Sequence, residues 1–154
     1  MLSGLMALGL SAQNRFVVTF PARFADKPLD GRLLLLLSTK SEPEMRFQIR
    51  DDYQSAQVFG LDVDHWKAGT TQIFRGVEFG YPVQHLRDFP AGEYYVQVLL
   101  HQYETFRRKD GHTVKMPMDR GEGQQWNQAP GNLYSKPLKV RVNPKQKGVI
   151  RLEL

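Results

Sequence analysis

The chain predicts an all-β domain, an immunoglobulin- or fibronectin-like antiparallel β-sandwich carrying one long loop. Three observations lead there. The run Pro90-Ala91-Gly92-Glu93-Tyr94-Tyr95-Val96-Gln97-Val98-Leu99-Leu100-His101 feeds a Pro/Gly turn into a long aromatic and β-branched strand. About seven to nine short strand-like segments recur along the chain with turn residues between them. No segment shows a convincing amphipathic helical period. With 154 residues, the chain can bury a core of its own without disulfides or metal.

Residues 1–13 stand apart from the rest. Apolar and small residues fill Met1 to Gln13, no charge precedes Arg15, and Leu10-Ser11-Ala12 supplies the small residues at which a signal peptidase cuts. The segment reads as the remnant of a secretory signal whose basic leading region is missing, which makes the mature protein secreted or periplasmic. The competing reading is a short helix or strand packed on the domain. At 13 residues the segment is too short for a membrane span, which needs about 20 apolar residues. The β-sandwich domain is then residues 14–154.

Each element follows from its local pattern. Arg15 to Phe20 forms a first strand, stopped by Pro21. Gly31 to Ser38 forms a second; its five unbroken leucines mean burial on both faces or a face covered by another domain. Leucines alone also suit a helix, but Gly31 and Ser38-Thr39 leave room for only about two turns, so length favours a strand. Met45 to Ile49 alternates, with Met45, Phe47 and Ile49 expected inward. Gln57 to Val63 is a further strand with Gly60 as a candidate bulge. Asp64 to Gly69 turns the chain, Thr71 to Phe74 continues it, and Gly80-Tyr81-Pro82 breaks it.

In the central strand the two-residue period puts Tyr94, Val96, Val98 and Leu100 on one face and Glu93, Tyr95, Gln97, Leu99 and His101 on the other. Tyr94 follows the Pro90-x-Gly92 turn, where sandwiches place a tyrosine whose hydroxyl ties the strand to the preceding loop; Pro90, Gly92 and Tyr94 are therefore structural candidates. Lys109-Asp110-Gly111 closes a small hairpin before His112-Thr113-Val114. Met116 to Asn132 is an extended loop, and the whole stretch Arg107 to Asn132 is long for a sandwich connection. Lys136 to Val142 and Val149 to Leu154 are expected to pair with each other across Asn143 to Gly148.

Composition excludes several functions. The absence of cysteine removes thiol catalysis, disulfides and thiolate zinc sites, without identifying the compartment. Net charge is +5, but residues 1–104 carry −2 and residues 105–154 carry +7. Lys139, Arg141 and Arg151 alternate with apolar residues, as the solvated face of two strands does. Nucleic-acid binding is not indicated; docking on an acidic partner domain is the functional alternative.

No serine lies in a Gly-x-Ser-x-Gly elbow, so no catalytic residue is assigned. Asp62 and Asp64 share a strand face that His65 does not, and no second histidine stands at a ligand spacing, so Asp64 reads as a turn cap rather than a metal ligand. Asp119-Arg120-Gly121-Glu122-Gly123 lacks the alternating acidic pattern of a calcium loop. Gly121-x-Gly123 lacks the context of a phosphate cradle. No metal and no cofactor are expected. One constellation remains: Trp126 with Gln124, Gln125, Asn127, Asn132 and Tyr134, an aromatic plate among amides. It suits a loop folded back on its own sandwich, an interface with a neighbouring domain, or a glycan or peptide ligand.

Taken together, GRLLLLLST, AQVFGLDVD, LRDFPAGEYYVQVLLHQYETF, GHTVKMPMDRGEGQQWNQAPGNLYSKP and VIRLEL resemble the N-terminal region of secreted bacterial esterase-family proteins, in which a β-sandwich precedes an α/β-hydrolase domain. The resemblance spans about residues 14–154, and the Gly-Glu-Gly-Gln-Gln-Trp-Asn run is its most specific element. It implies a non-catalytic accessory domain whose partner hydrolase lies in the same or a neighbouring reading frame. The family's serine, acid and histidine belong to that second domain, so none is carried over here.

Overall fold

The computed structural model describes residues 14–154; the expected signal remnant at 1–13 lies outside them. The described chain is built from β-strands with short 3-10 turns and contains no α-helix. In chain order the strands are β1 (Asn14–Thr19), β2 (Leu29–Ser38), β3 (Gln57–Trp66), β4 (Gln72–Phe74), β5 (Gly80–Tyr81), β6 (Gly92–Gln102), β7 (Glu104–Arg107), β8 (Thr113–Met116), β9 (Leu133–Tyr134), β10 (Leu138–Val142) and β11 (Gly148–Glu153).

Two sheets face each other. A three-stranded sheet has the order β11-β1-β4, with β1 and β11 parallel. The larger sheet has the order β10-β6-β2-β3-β5, all antiparallel, with β9 also on β6. Phe16, Val18, Phe74 and Leu152 from the small sheet meet Leu33, Leu35, Leu37, Phe59, Val96, Val98 and Leu100 from the large one in a single buried core. Trp66 closes one end, edge-on to Phe20 at 4.8 Å, with its indole N–H donated to Thr70 O at 3.0 Å. Each of these large side chains contributes about 1.5–3 kcal/mol by leaving water. A separate two-stranded hairpin joins β7 to β8 through the Lys109-Asp110-Gly111 turn.

β2 is buried on both faces, as its leucines require. Leu33, Leu35 and Leu37 point into the main core, whereas Leu34 and Leu36 join Met45 and Leu99 in a second cluster on the outer face of the large sheet. The cover over that face is this chain's own: Ile49, Val58, Tyr95 and Trp126 complete it.

Five local expectations are corrected. Met45 to Ile49 is not a strand: Met45–Phe47 forms a 3-10 turn in which Met45 is fully buried and Phe47 is exposed. The alternating pattern was overridden by tertiary capture of the Arg46 peptide, described below. Gly60 is no bulge, since β2 and β3 stay in register across it; the irregularity falls between Leu29 and Gly31. The absence of a Cβ at Gly60 leaves room for the Arg32 guanidinium to lie over the strand. Asp64–Trp66 belongs to β3, so the turn begins only at Lys67. Gly80-Tyr81 is itself a short edge strand on β3, with Val58 O and the Phe59 ring filling the space beside Gly80. Finally, β10 and β11 do not pair with each other. The 143–147 connection carries the chain from the large sheet to the small one, where β11 lies along β1 because Ile150 and Leu152 then reach the core.

Candidate functional site

The sequence-selected amides and aromatics converge on the outer face of β6. Gln97 is fully buried there, on the face opposite the main core. Its Oε1 accepts the backbone N–H of Arg46 at 3.1 Å, and its Nε2 donates to Glu44 Oε2 and to Ser135 O, each at 2.9 Å. The hydroxyl of buried Ser135 in turn accepts the N–H of Val98 at 3.1 Å. A buried carboxamide left unpaired would cost several kcal/mol; here both of its polar atoms are satisfied.

Trp126 begins another 3-10 turn, Trp126–Gln128, and lies half-buried against the cluster of Leu34, Leu36, Met45 and Leu99. Its ring is 5.7 Å from that of His101. Asn127 Nδ2 donates to Arg46 O at 2.7 Å, so both polar groups of the Arg46 peptide are held by side chains from elsewhere in the chain. Asn132 Nδ2 donates to Trp126 O at 2.8 Å, while its Oδ1 lies 2.9 Å from His101 Nδ1. Gln102 Nε2 reaches Gly131 O, which fixes the end of the loop. Gln124 and Gln125 are exposed; Gln125 Oε1 accepts from Gln128 Nε2 at 3.3 Å.

Tyr134 stands beside this cluster with the Arg46 guanidinium 3.9 Å from its ring centroid; Phe47 lies 4.2 Å from the same guanidinium. Arg46 also pairs with Glu44 at 2.9 Å and is largely shielded, its side chain 14% exposed. Two aromatic faces and a carboxylate around one guanidinium form a cation–π sandwich, worth more when desolvated than on an open surface. Donation by the Gln97 amide, and then by the Arg46 guanidinium, holds the Glu44 carboxyl below the usual carboxylate range.

Of the three arrangements open for the Trp126 constellation, the geometry describes the first, a loop folded back on its own sheet. Asn127 and Asn132 spend their amides internally, which leaves Gln124 and Gln125 as the exposed amides, beside the half-exposed Tyr134 ring. The strongest partners, Gln97, His101, Arg46 and Glu44, were not singled out in the sequence. Only Gln97 gave a signal, as an amide inside an otherwise apolar strand.

Pro90, Gly92 and Tyr94 form one unit. The Tyr94 hydroxyl donates to Pro90 O at 3.1 Å, its ring packs 4.7 Å from Phe89, and the ring passes so close to Gly92 that a Cβ there would touch it. Desolvation raises the Tyr94 phenol above its ordinary value.

A second polar cluster sits at the far end of β3. The expectation that His65 points away from Asp64 is corrected: His65 has φ +50°, in the left-handed region, which breaks strand alternation. Asp30 Oδ1 accepts the His65 N–H at 2.7 Å and so takes the capping role expected of Asp64. Asp30, Asp64 and His65 offer donor atoms within 4.8 Å of one another. The Lys115 ammonium is already among them, 3.0 Å from Asp30 and hydrogen-bonded to Asp64. That ammonium, with smaller help from His65 and Asp30, lowers the Asp64 carboxyl to about 2, and the carboxylates raise Lys115. Asp62 pairs instead with Arg32 at 2.6 Å. In the 119–123 turn, Asp119 Oδ1 accepts the N–H groups of Gly121 and Gly123, and Glu122 accepts that of Arg120. These carboxylates serve the local backbone.

Among the described residues no helix is long and apolar enough to cross a membrane. No family model, curated protein or solved structure matches the chain.

Proposed function

We propose that this domain is a non-catalytic accessory module of a secreted or periplasmic esterase of the α/β-hydrolase class, with an immunoglobulin-like sandwich that holds a hydrolase domain encoded in the same or a neighbouring reading frame. The sequence resemblance motivates the hydrolase, and the two facing sheets with a tyrosine tied back across a Pro-x-Gly turn support the immunoglobulin-like reading. The observation that carries a docking role is an apolar stripe on the edge of the large sheet. Val77, Phe79 and Tyr81 alternate with buried Glu78 and Gly80 and are 67%, 62% and 47% exposed. Edge strands are normally blunted with charge or covered. Three large apolar side chains in line on an edge mark an interaction surface, with aromatic residues suited to anchor it.

The Trp126 end of the 107–132 segment, expected as an alternative interface, packs on its own sheet, so the stripe is the surface on which this reading rests. Three observations test the reading. The genomic sequence beyond codon 154 is expected to encode a hydrolase with a Gly-x-Ser-x-Gly elbow; unrelated sequence on both strands and in all frames overturns it. The co-expressed hydrolase is expected to co-purify with the wild-type domain and to be lost from the Phe79→Asp/Tyr81→Asp variant. Hydrolysis of p-nitrophenyl acetate by residues 14–154 alone, abolished by one side-chain substitution, would refute the non-catalytic assignment.

A further inference from the structure

We propose that the groove between β10 and β11 is a strand-accepting site for an extended peptide segment in which acidic and apolar side chains alternate. The groove opens where the two sheets end side by side. Among the described residues β11 pairs only with β1, and β10 only with β6, so each has one main-chain edge that no described strand covers. The Leu154 N–H donates to Thr19 O at 3.0 Å. Strand alternation then directs the N–H groups of Arg151 and Glu153 away from β1, toward the groove side. An added strand would satisfy them through main-chain hydrogen bonds, while its alternate side chains enter the groove.

The groove's chemistry selects the occupant. Its walls are apolar, with Phe24, Tyr134 and Leu138 each close to half exposed. Its rim carries Arg23, Lys136 and Arg151. Arg23 pairs with Glu153 at 3.4 Å, whereas neither Lys136 nor Arg151 pairs with a carboxylate among the described residues. Lys136 and Arg151 belong to the part of the chain that carries the positive charge, residues 105–154 at +7. A second copy of this chain would bring the same cationic edge and be repelled. An acidic strand instead gains main-chain pairing from the edge and charge pairing from the rim. It is recognised by that chemistry whether or not a hydrolase domain supplies it.

The test uses a fluorescein-labelled ten-residue peptide of alternating Glu and Val, followed by anisotropy at low salt and by amide exchange of the labelled protein. Saturable binding is expected, weakened about tenfold or more when Lys replaces Glu in the peptide. Protection from exchange should appear at the Arg151 and Glu153 amides. Lys136→Glu/Arg151→Glu, both at exposed positions, should reverse the preference toward the Lys peptide while leaving the fold intact. A Glu/Val peptide N-methylated on alternate residues keeps the charge but cannot extend the ladder, and should not bind. Equal binding of the N-methylated peptide, binding without protection at Arg151 and Glu153, or no saturable binding at all would overturn the proposal. The last outcome would mean that the cations only guard a sheet edge against self-association.

Discussion

Gln97 and Arg46 meet through a side-chain oxygen and a backbone N–H, 3.1 Å apart, on the outer face of the central strand. That contact fixes the 44–48 turn to β6. With the Asn127 bond to Arg46 O, it clips two separate loops to one point on the sheet.

Gln97→Leu removes the hub and leaves the Arg46 N–H and Ser135 O without their partner in a buried site. Each such group costs about 1–3 kcal/mol, so a loss of at least about 2 kcal/mol is expected in urea unfolding. Gln97→Glu keeps the Arg46 contact but sets a second carboxylate against Glu44. Its destabilisation should deepen as pH rises above the carboxylate range, which a pH series of unfolding midpoints would reveal.

Trp126→Ala should destabilise by about 2–3 kcal/mol, below the cost for a fully buried tryptophan because Trp126 is only half-buried. Limited proteolysis should then cut within 117–132 well before any cut in β2 or β6. Equal protease resistance in variant and wild type would show that the loop is held without its indole.

Acid should weaken the domain through Glu44 and Asp64, both of which have lowered folded-state values. The folded state binds fewer protons than the unfolded one between the two values, so this stabilisation is full above the ordinary values of 4.5 and 3.8. It is lost as pH falls through the lowered ones, down to about 2 for Asp64. The expected result is a melting temperature that declines below about pH 4.5. Glu44→Gln should flatten the upper part of that decline. Asp64→Asn should act weakly, and less still in high salt, because the Asp64 and Lys115 charges lie in solvent.

Tyr94→Phe tests the tie to Pro90. Losing one net hydrogen bond should cost about 1 kcal/mol and, because the ring and its Phe89 contact remain, leave the near-ultraviolet signal of the core in place. Gly92→Ala puts a methyl against the Tyr94 ring, which must shift by a few tenths of an ångström, so the near-ultraviolet signal of Tyr94 should change.

Much of the fold was legible in the residues. The leucine run of β2 and the two-residue period of β6 are long, regular and bounded by turn residues, and both became central strands with the expected core faces. Met45–Ile49 was misleading because five alternating residues specify a strand only weakly, and here Gln97 and Asn127 seize the Arg46 peptide from 51 and 81 positions away. The β10–β11 pairing failed for a related reason: neighbours in sequence usually pair, but these two strands fill the core only from opposite sheets. At the site, Trp126 and its amides were visible as a local cluster. Their partners were not, because Glu44, Arg46 and His101 reach them only through the folded chain. Asp30 and Lys115 were hidden likewise, and the left-handed His65 removed the alternation on which the reading of Asp64 relied.

The parallel union of β1 with β11 sets the order of events during synthesis. Phe16 and Val18 are among the first described side chains to emerge from the ribosome, yet the strand beside them is among the last. Until residues 148–154 clear the exit tunnel, an apolar strand waits with one flank open. A nascent chain that ends short of residue 148 keeps that flank open, whereas one that includes 148–154 can zip β1 to β11.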